Sequence, residues 1–448
     1  MLVWCGMPLA TEPTVARRQS RTDSNRLEPN DRAAHDWYRF VLSFPPHLVR
    51  EYMSRFDLGP GASLLDPFCG TGTTVVECKK LGVASIGVEA HPMSYFATRT
   101  KLDWTPIPDE LEKIAAGVAE RAIDALDRNG IVDDPQPNLI QETPTLVALR
   151  ALPTEADKLL LTNSISPLPL HKTLVLLEAI DSAPRYRDHF RIALARALVS
   201  TISNLHFGPE VGVGPAKRDA PVVSAWLGRI VQMAHDLRTL RQLQSAEAVV
   251  HNADSRALSG LLQRQSVGAV FTSPPYPNEK DYTRTTRLET VLLGFVRDKA
   301  TLRKLKHSMV RSNTRGVYKD DDDHQWVSGI AEITEVADEI EARRIAMSKT
   351  SGFERLYARV TKLYFGGMAR HLAELRPSLR DGAMLGYVVG DQASYLRVMI
   401  RTGQILASVA ERLGYEVVSI DLFRTRLATA TREQLREEVV VLRWPGTR

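Results

Sequence analysis

The run Asp66-Pro67-Phe68-Cys69-Gly70-Thr71-Gly72-Thr73-Thr74 constrains this chain more than any other stretch of similar length. It stands between an apolar strand-like segment, ASLLD, and a helix-like run from Thr73 to Leu81, and a second strand-like segment, ASIGVEA, follows. Strand, glycine-rich turn, helix and strand in that order make one βαβ unit of a parallel, doubly wound sheet. The glycines let the backbone turn tightly and approach a ligand where a side chain would clash. Glu89 closes the second strand about twenty residues on, where an acidic residue accepts hydrogen bonds from ribose hydroxyls. The spacing fits an adenosine-containing cofactor. No Gly-Lys-Ser/Thr follows, which excludes a P-loop, and the third glycine of the dinucleotide fingerprint is missing. A tight turn without a ligand is the plain alternative.

A second motif narrows the choice. Thr272-Ser273-Pro274-Pro275-Tyr276 ends the apolar run VGAVF, and open α/β sheets place their chemistry at such strand ends. Alone, a Pro-Pro pair is an abrupt strand stop under an aromatic cover. Beside the glycine loop and Glu89, it reads as a catalytic turn.

Together the two motifs resemble the amino-group DNA methyltransferases that use S-adenosylmethionine. LLDPFCGTGTT looks like their cofactor motif, and TSPPY like their catalytic motif, whose general form is Ser, Asp or Asn followed by Pro-Pro and an aromatic residue. The resemblance covers roughly residues 40–104 and 246–298, with a looser match from about 360 onward. It implies an α/β fold with a doubly wound, mostly parallel, Rossmann-like sheet, S-adenosyl-L-methionine as cofactor and double-stranded DNA as partner. It also implies roles. Phe44, in SFPPHL, packs on the methionine part of the cofactor. Asp66, Pro67, Phe68, Gly70, Gly72, Thr73 and Thr74 form the cofactor loop, Glu89 holds the ribose, and Asp254, in VVHNAD, meets the adenine amino group. Ser273, Pro274, Pro275 and Tyr276 form the catalytic turn. The cofactor loop comes about 200 residues before that turn, an order similar to the class whose target-recognition region lies between the two. Here the inserted helices precede the Asp254 strand instead of following it, which leaves open the segment that reads the bases.

The chemistry implied is methyl transfer to an exocyclic amine whose lone pair is delocalised into its ring. Acceptors for the two amine protons, the Ser273 hydroxyl and the Pro274 carbonyl, favour a tetrahedral nitrogen and stabilise its developing positive charge. Proline suits the place because its fixed φ holds that carbonyl in position. Tyr276 stacks on the base, which must first leave the duplex. Within the family, Ser at the first position accompanies N4-cytosine modification more often than N6-adenine. Cytosine is therefore the expected target and adenine the alternative. An RNA methyltransferase and a non-catalytic DNA-binding scaffold are the readings of other classes.

Around these motifs the chain divides into a polar tail (residues 1–30), a first α/β part (31–104), a mainly helical insertion (105–245) and a catalytic part (246–298). A polar, charged segment (299–355) follows, serving as a lid or DNA contact, and then a C-terminal α/β part (356–448). The last two strand-like runs, YEVVSIDLF and EEVVVLRW, have no helix between them and predict a closing antiparallel hairpin. The insertion is the candidate target-recognition region. For DNA contact the candidates are Lys217 and Arg218, in FGPEVGVGPAKRD, and Lys280 and Arg284, just after the catalytic turn. Arg287 and Glu289 read equally as a helix start with local ion pairs.

Charge is permissive here and not diagnostic: 58 Lys and Arg against 53 Asp and Glu leave +5. Asp320 to Asp323 followed by His324 invites a metal reading, but adjacent carboxylates usually mark a solvated loop, and no metal is expected. Cys5, Cys69 and Cys78 form neither a disulfide framework nor C-x-x-C spacing. With no signal peptide and no membrane span expected, a cytoplasmic protein follows; the resemblance implies a restriction–modification or defence setting, with a separately encoded restriction endonuclease as the expected partner.

Overall fold

The computed structural model describes residues 27–40, 43–59, 61–134, 148–207, 210–278, 280–427 and 434–446. The first βαβ unit forms as the sequence predicts: β1 (Ser63–Asp66), α2 (Thr73–Lys80) and β2 (Ala84–Val88), preceded by α1 (Pro46–Arg55). α3 (Pro92–Leu102) leads into the insertion, whose long helices are α4 (Pro108–Asp127), α5 (Pro167–Asp181), α6 (Arg187–Ala197) and α7 (Val222–Leu240). β5 (Ala248–His251) and β6 (Val267–Thr272) return the chain to the sheet. After the charged segment, with α8 (Lys299–His307) and α9 (Ala331–Ala346), come α10 (Tyr357–Leu375), β7 (Leu379–Gly390), α11 (Thr402–Arg412), β8 (Glu416–Leu427) and β9 (Gln434–Arg443).

Seven strands form one sheet in the order β5-β2-β1-β6-β7-β9-β8. The first five run parallel, and β9 pairs antiparallel with both β7 and β8. The hairpin thus closes the sheet with its second strand inserted between β7 and β8. β1 and β6 lie side by side, with Leu64 opposite Ala269 and Leu65 opposite Val270. Period-two geometry sends alternate residues to opposite faces. Leu64, Ala269 and Phe271 pack against α1, while Leu65 and Val270 pack with Tyr364 and Phe365 of α10. Both faces are covered, so the central strands read as near-continuous apolar runs.

The insertion shares its core with the sheet's flank: Trp226 and Phe190 belong to the same buried cluster as Val75, Val76 and Phe96. It also contains a small antiparallel pair, β3 (Leu205–Phe207) and β4 (Val211–Val213), where the sequence reads as a glycine-rich loop. Runs of three residues are too short to show a strand period.

The charged segment also departs from expectation. Asp321 is half-buried and receives the Arg311 guanidinium, its Oδ1 2.6 Å and its Oδ2 2.9 Å from the donors. Asp323 is buried and receives Arg256 at 2.5 Å and Arg370 at 3.3 Å. The run that sequence reads as a solvated loop is instead tied in by arginines from elsewhere in the chain. Among the described residues no group of His, Cys, Asp and Glu is arranged to hold a metal ion, and no helix is long and apolar enough to cross a membrane. Cys69 and Cys78 are buried and unpaired. Most of the expected N-terminal tail, residues 1–26 with Cys5, lies outside the described residues; Pro29–Asp31 form a turn in which Asp31 pairs with Arg50 at 2.9 Å.

Candidate active site

Strand order reverses between β1 and β6, and open α/β sheets bind ligands outside the strand ends at such a point. The two sequence motifs meet there: Thr272 Oγ1 donates to Asp66 Oδ1 at 2.6 Å, linking the end of β6 to the end of β1. A cavity of about 310 Å³ opens above them.

One wall is the glycine loop and the end of β2. Phe44, Pro67, Phe68, Gly70, Thr73 and Glu89 line it. Gly70 and Gly72 adopt left-handed conformations, with φ of +52° and +86°. At Gly72 a Cβ would also come within 2.8 Å of Thr98, so no other residue fits. Two α3 side chains hold the loop carbonyls: Thr98 Oγ1 donates to Gly70 O, and the buried Lys101 Nζ donates to Thr71 O, both at 2.8 Å. Asp66, Gly72 and Thr74 are not part of the lining; they sit beneath the loop and support it. Thr74 Oγ1 donates to Phe271 O. Asp66 also accepts from Phe68 N, and burial pushes its carboxyl up to about 6.

Glu89 accepts from Gly70 N and from His91 N, each at 2.7 Å. Burial pushes its carboxyl up to about 7, against the pull of those two backbone donors. Burial likewise lowers His91 to about 4, so its imidazole is neutral. This wall therefore offers one carboxylate, hydroxyls, aromatic faces and no cation. That donor set fits a hydroxyl-bearing, positively charged ligand such as S-adenosylmethionine. Phe44 stands at its edge, its ring 5.9 Å from that of Phe271. Asp254 is placed differently from the sequence expectation: its carboxylate is held by the Arg256 guanidinium at 2.7 and 3.0 Å, and its neighbour Ser255 lines the cavity instead.

The other wall is the catalytic turn and its surroundings. Ser273, Pro274, Pro275 and Tyr276 all line the cavity. Ser273 Oγ donates to Val388 O at 3.2 Å, which engages its proton and leaves its lone pairs as acceptors. The Tyr276 ring lies against Gly390, where a Cβ would stand 3.0 Å from it. Burial raises the Tyr276 hydroxyl above its ordinary value, keeping the phenol neutral.

This wall also includes residues for which the sequence shows no signal: Met309 and Val310 from the charged segment, and Phe423, Arg424, Arg426 and Glu437 from the closing hairpin. Glu437 pairs with Arg424 at 2.5 Å and with Arg426 at 3.2 Å.

The four residues singled out for DNA contact fare unequally. Lys280 lines the cavity, and burial lowers its ammonium. Arg284 lies 3.7 Å from Glu210. Lys217 Nζ donates to Thr201 O at 2.5 Å and Ser203 O at 2.6 Å, so it closes the end of the Leu198–Ile202 helical turn. Arg218 is exposed. Arg287 donates to Thr283 O and Leu159 O, while Glu289 is buried against the Tyr38 hydroxyl; both are structural.

Comparison with known proteins agrees with this geometry. Residues 12–97 match a family model described as DNA methylase. The chain is similar to the type II methyltransferase M.BsoBI of Geobacillus stearothermophilus, at 23% identity over 92% of this chain and 84% of the relative. It is similar to M.AvaI of Nostoc sp. strain PCC 7120 at 23% identity, over 96% and 90% of the two chains. A shorter likeness, 35% over 80 residues, joins it to the type II methyltransferase M.MjaII of Methanocaldococcus jannaschii, covering 18% of this chain and 15% of that one. With both motifs brought to one cavity at the switch point of the sheet, the comparisons support an S-adenosylmethionine-dependent DNA methyltransferase of the amino-group type.

Proposed function

We propose that this enzyme methylates the exocyclic N4 of a cytosine flipped out of double-stranded DNA, as the modification partner of a separately encoded restriction endonuclease in the cytoplasm. The observation that carries the reading is the Ser273 hydroxyl, with its proton on Val388 O, on the same cavity as Pro274 and Glu89. S-adenosylmethionine, when bound, supplies an electrophilic methyl group. Phe44, the glycine loop and Glu89 are the residues that would hold it. The protein's part is then to grip the base and aim its amine. Ser273 Oγ and Pro274 O accept the two amine protons, which localises the nitrogen lone pair and stabilises the positive charge that builds on it. Tyr276 offers its ring to the base, offsetting the few kcal/mol of unstacking.

Two features support cytosine over adenine. One is serine at the first position of the catalytic turn. The other is the set Lys280, Arg424 and Arg426 on the same wall, donors suited to the O2 carbonyl of cytosine, which adenine lacks. The type II names of the similar proteins support the restriction–modification setting.

The test is methyl transfer from labelled S-adenosylmethionine to unmethylated DNA and RNA, followed by nucleoside mass spectrometry. N4-methylcytosine in DNA is the expected product. N6-methyladenine would keep the mechanism and overturn the base. Label in RNA alone would overturn the substrate, and cofactor binding without transfer would favour a scaffold.

A further inference from the structure

The helix α8 carries a feature that the chemistry above does not use. Its sequence, KATLRKLKH, holds four formal cations in nine residues and no acid. Leu305 is buried in a small cluster with Ala156, Leu159, Val291 and Val296, and Leu302 packs against it. That docking leaves Lys299, Arg303 and Lys304 exposed. Among the described residues the cation of α8 that enters an ion pair is Lys306, which reaches Asp281 at 3.0 Å. Other surface helices neutralise their charge: on α9, Arg343 pairs with Glu339 and Arg344 with Glu341. On α4, Asp109 and Glu112 share Arg238.

Arg303 also lies over the Tyr318 ring at 5.1 Å and donates to His307 Nε2 at 3.4 Å, contacts that leave its charge unneutralised. Position gives these exposed cations a meaning. Ser308 and Met309, the two residues after α8, line the catalytic cavity. Asp281, the partner of Lys306, caps the short helix Tyr282–Thr285 that follows the catalytic turn. The helix is therefore anchored at the edge of the base-binding wall. At about 1.5 Å per residue it is roughly 14 Å long, the axial rise of about four phosphates along one strand.

We propose that Lys299, Arg303 and Lys304 of α8 bind the phosphate backbone of duplex DNA beside the flipped base. The assignment rests on the DNA methyltransferase reading and adds to it the surface that grips the duplex. It moves that role away from Lys217, whose ammonium is engaged by backbone carbonyls.

The experiment compares the full-length wild type with the triple variant Lys299→Gln, Arg303→Gln, Lys304→Gln. A second triple variant, Lys113→Gln, Arg121→Gln, Arg128→Gln, removes the same charge from α4 and the residue after it, none of which lines the cavity. Affinity for a mixed-sequence duplex is measured between 50 and 200 mM salt, together with S-adenosylmethionine affinity and methyl transfer to unmethylated DNA. The α8 variant is expected to lower the log–log salt slope by about 2 to 3, with cofactor affinity unchanged, while the α4 variant keeps the wild-type slope. An unchanged slope in the α8 variant, or an equal drop in the α4 variant, overturns the assignment while leaving the methyltransferase reading intact. Absence of methyl transfer by the wild type overturns both.

Discussion

The two walls of the catalytic cavity are built on opposite plans. The cofactor wall comes largely from one βαβ unit, with backbone amides, glycines and one carboxylate, and it carries no cation. The base wall gathers side chains from the catalytic turn, the charged segment, β7 and the closing hairpin, and it carries Lys280, Arg424 and Arg426. A cationic, hydroxylated ligand suits the first and a base on a polyanion suits the second. On the proposed reading electrostatics would sort the two substrates to their own sides, and a wall made of contiguous backbone depends less on distant contacts than one assembled from remote strands.

The largest expected effect tests that dependence. Arg256, buried with Asp323 and paired with half-buried Asp254, ties the charged segment to the end of β5. Arg256→Ala leaves Asp254 without its cation and Asp323 with Arg370 alone, and should cost about 3 kcal/mol of stability, read as a lower urea midpoint. An unchanged midpoint would mean that the base wall stands without its remote ties.

Ser273→Ala should separate the walls functionally. Loss of one positioned polar group is expected to lower methyl transfer by about 10²–10³-fold, with S-adenosylmethionine affinity nearly intact by calorimetry. An equal loss of both would show that the walls do not divide the labour.

Acid should act on the other wall. With its carboxyl near 7, Glu89 loses its charge as pH falls through neutrality, so cofactor affinity at pH 6 is expected to be up to about tenfold weaker than at pH 8. The stability sign is opposite. A carboxyl raised in the folded state holds more protons than in the unfolded chain between about 4.5 and 7, so its contribution to stability declines as pH rises across that window. Glu89→Gln should bind cofactor less well at pH 8, and its amide gives up one of the two acceptors for the Gly70 and His91 N–H groups. A pH-independent cofactor affinity would refute the role of the ionised carboxylate.

The smallest effect concerns the contact of Gly390 with Tyr276. Gly390→Ala pushes a methyl to 3.0 Å from the ring and should raise the KM for DNA a few-fold without moving cofactor affinity. A change in cofactor affinity instead would place Tyr276 between the walls.

The cofactor wall was legible because its information is local. Gly70 and Gly72 declare a left-handed turn, the apolar runs on either side declare the strands, and Glu89 falls at a spacing set by one helix and one strand. The catalytic turn was legible for the same reason. Asp254 shows the limit: its place at a strand end is readable, but its capture by Arg256 is a matter of side-chain direction. Lys217 was read as a free cation because nothing in its neighbours reveals that Thr201 O and Ser203 O lie within reach.

The sequence by itself therefore determined the βαβ unit, the doubly wound sheet, the closing hairpin and the identity of both motifs, since each follows from periodicity and backbone conformation over a few consecutive residues. Only the tertiary structure decided which distant residues complete the base wall and which acids of the Asp320–Asp323 run are buried. It also decided which cations are exposed and which are engaged by carbonyls. Those outcomes depend on what packing brings within hydrogen-bonding distance, and residues like Arg311 and Asp321, or Arg424 and Glu437, carry no mark of their partners in their own sequence neighbourhood.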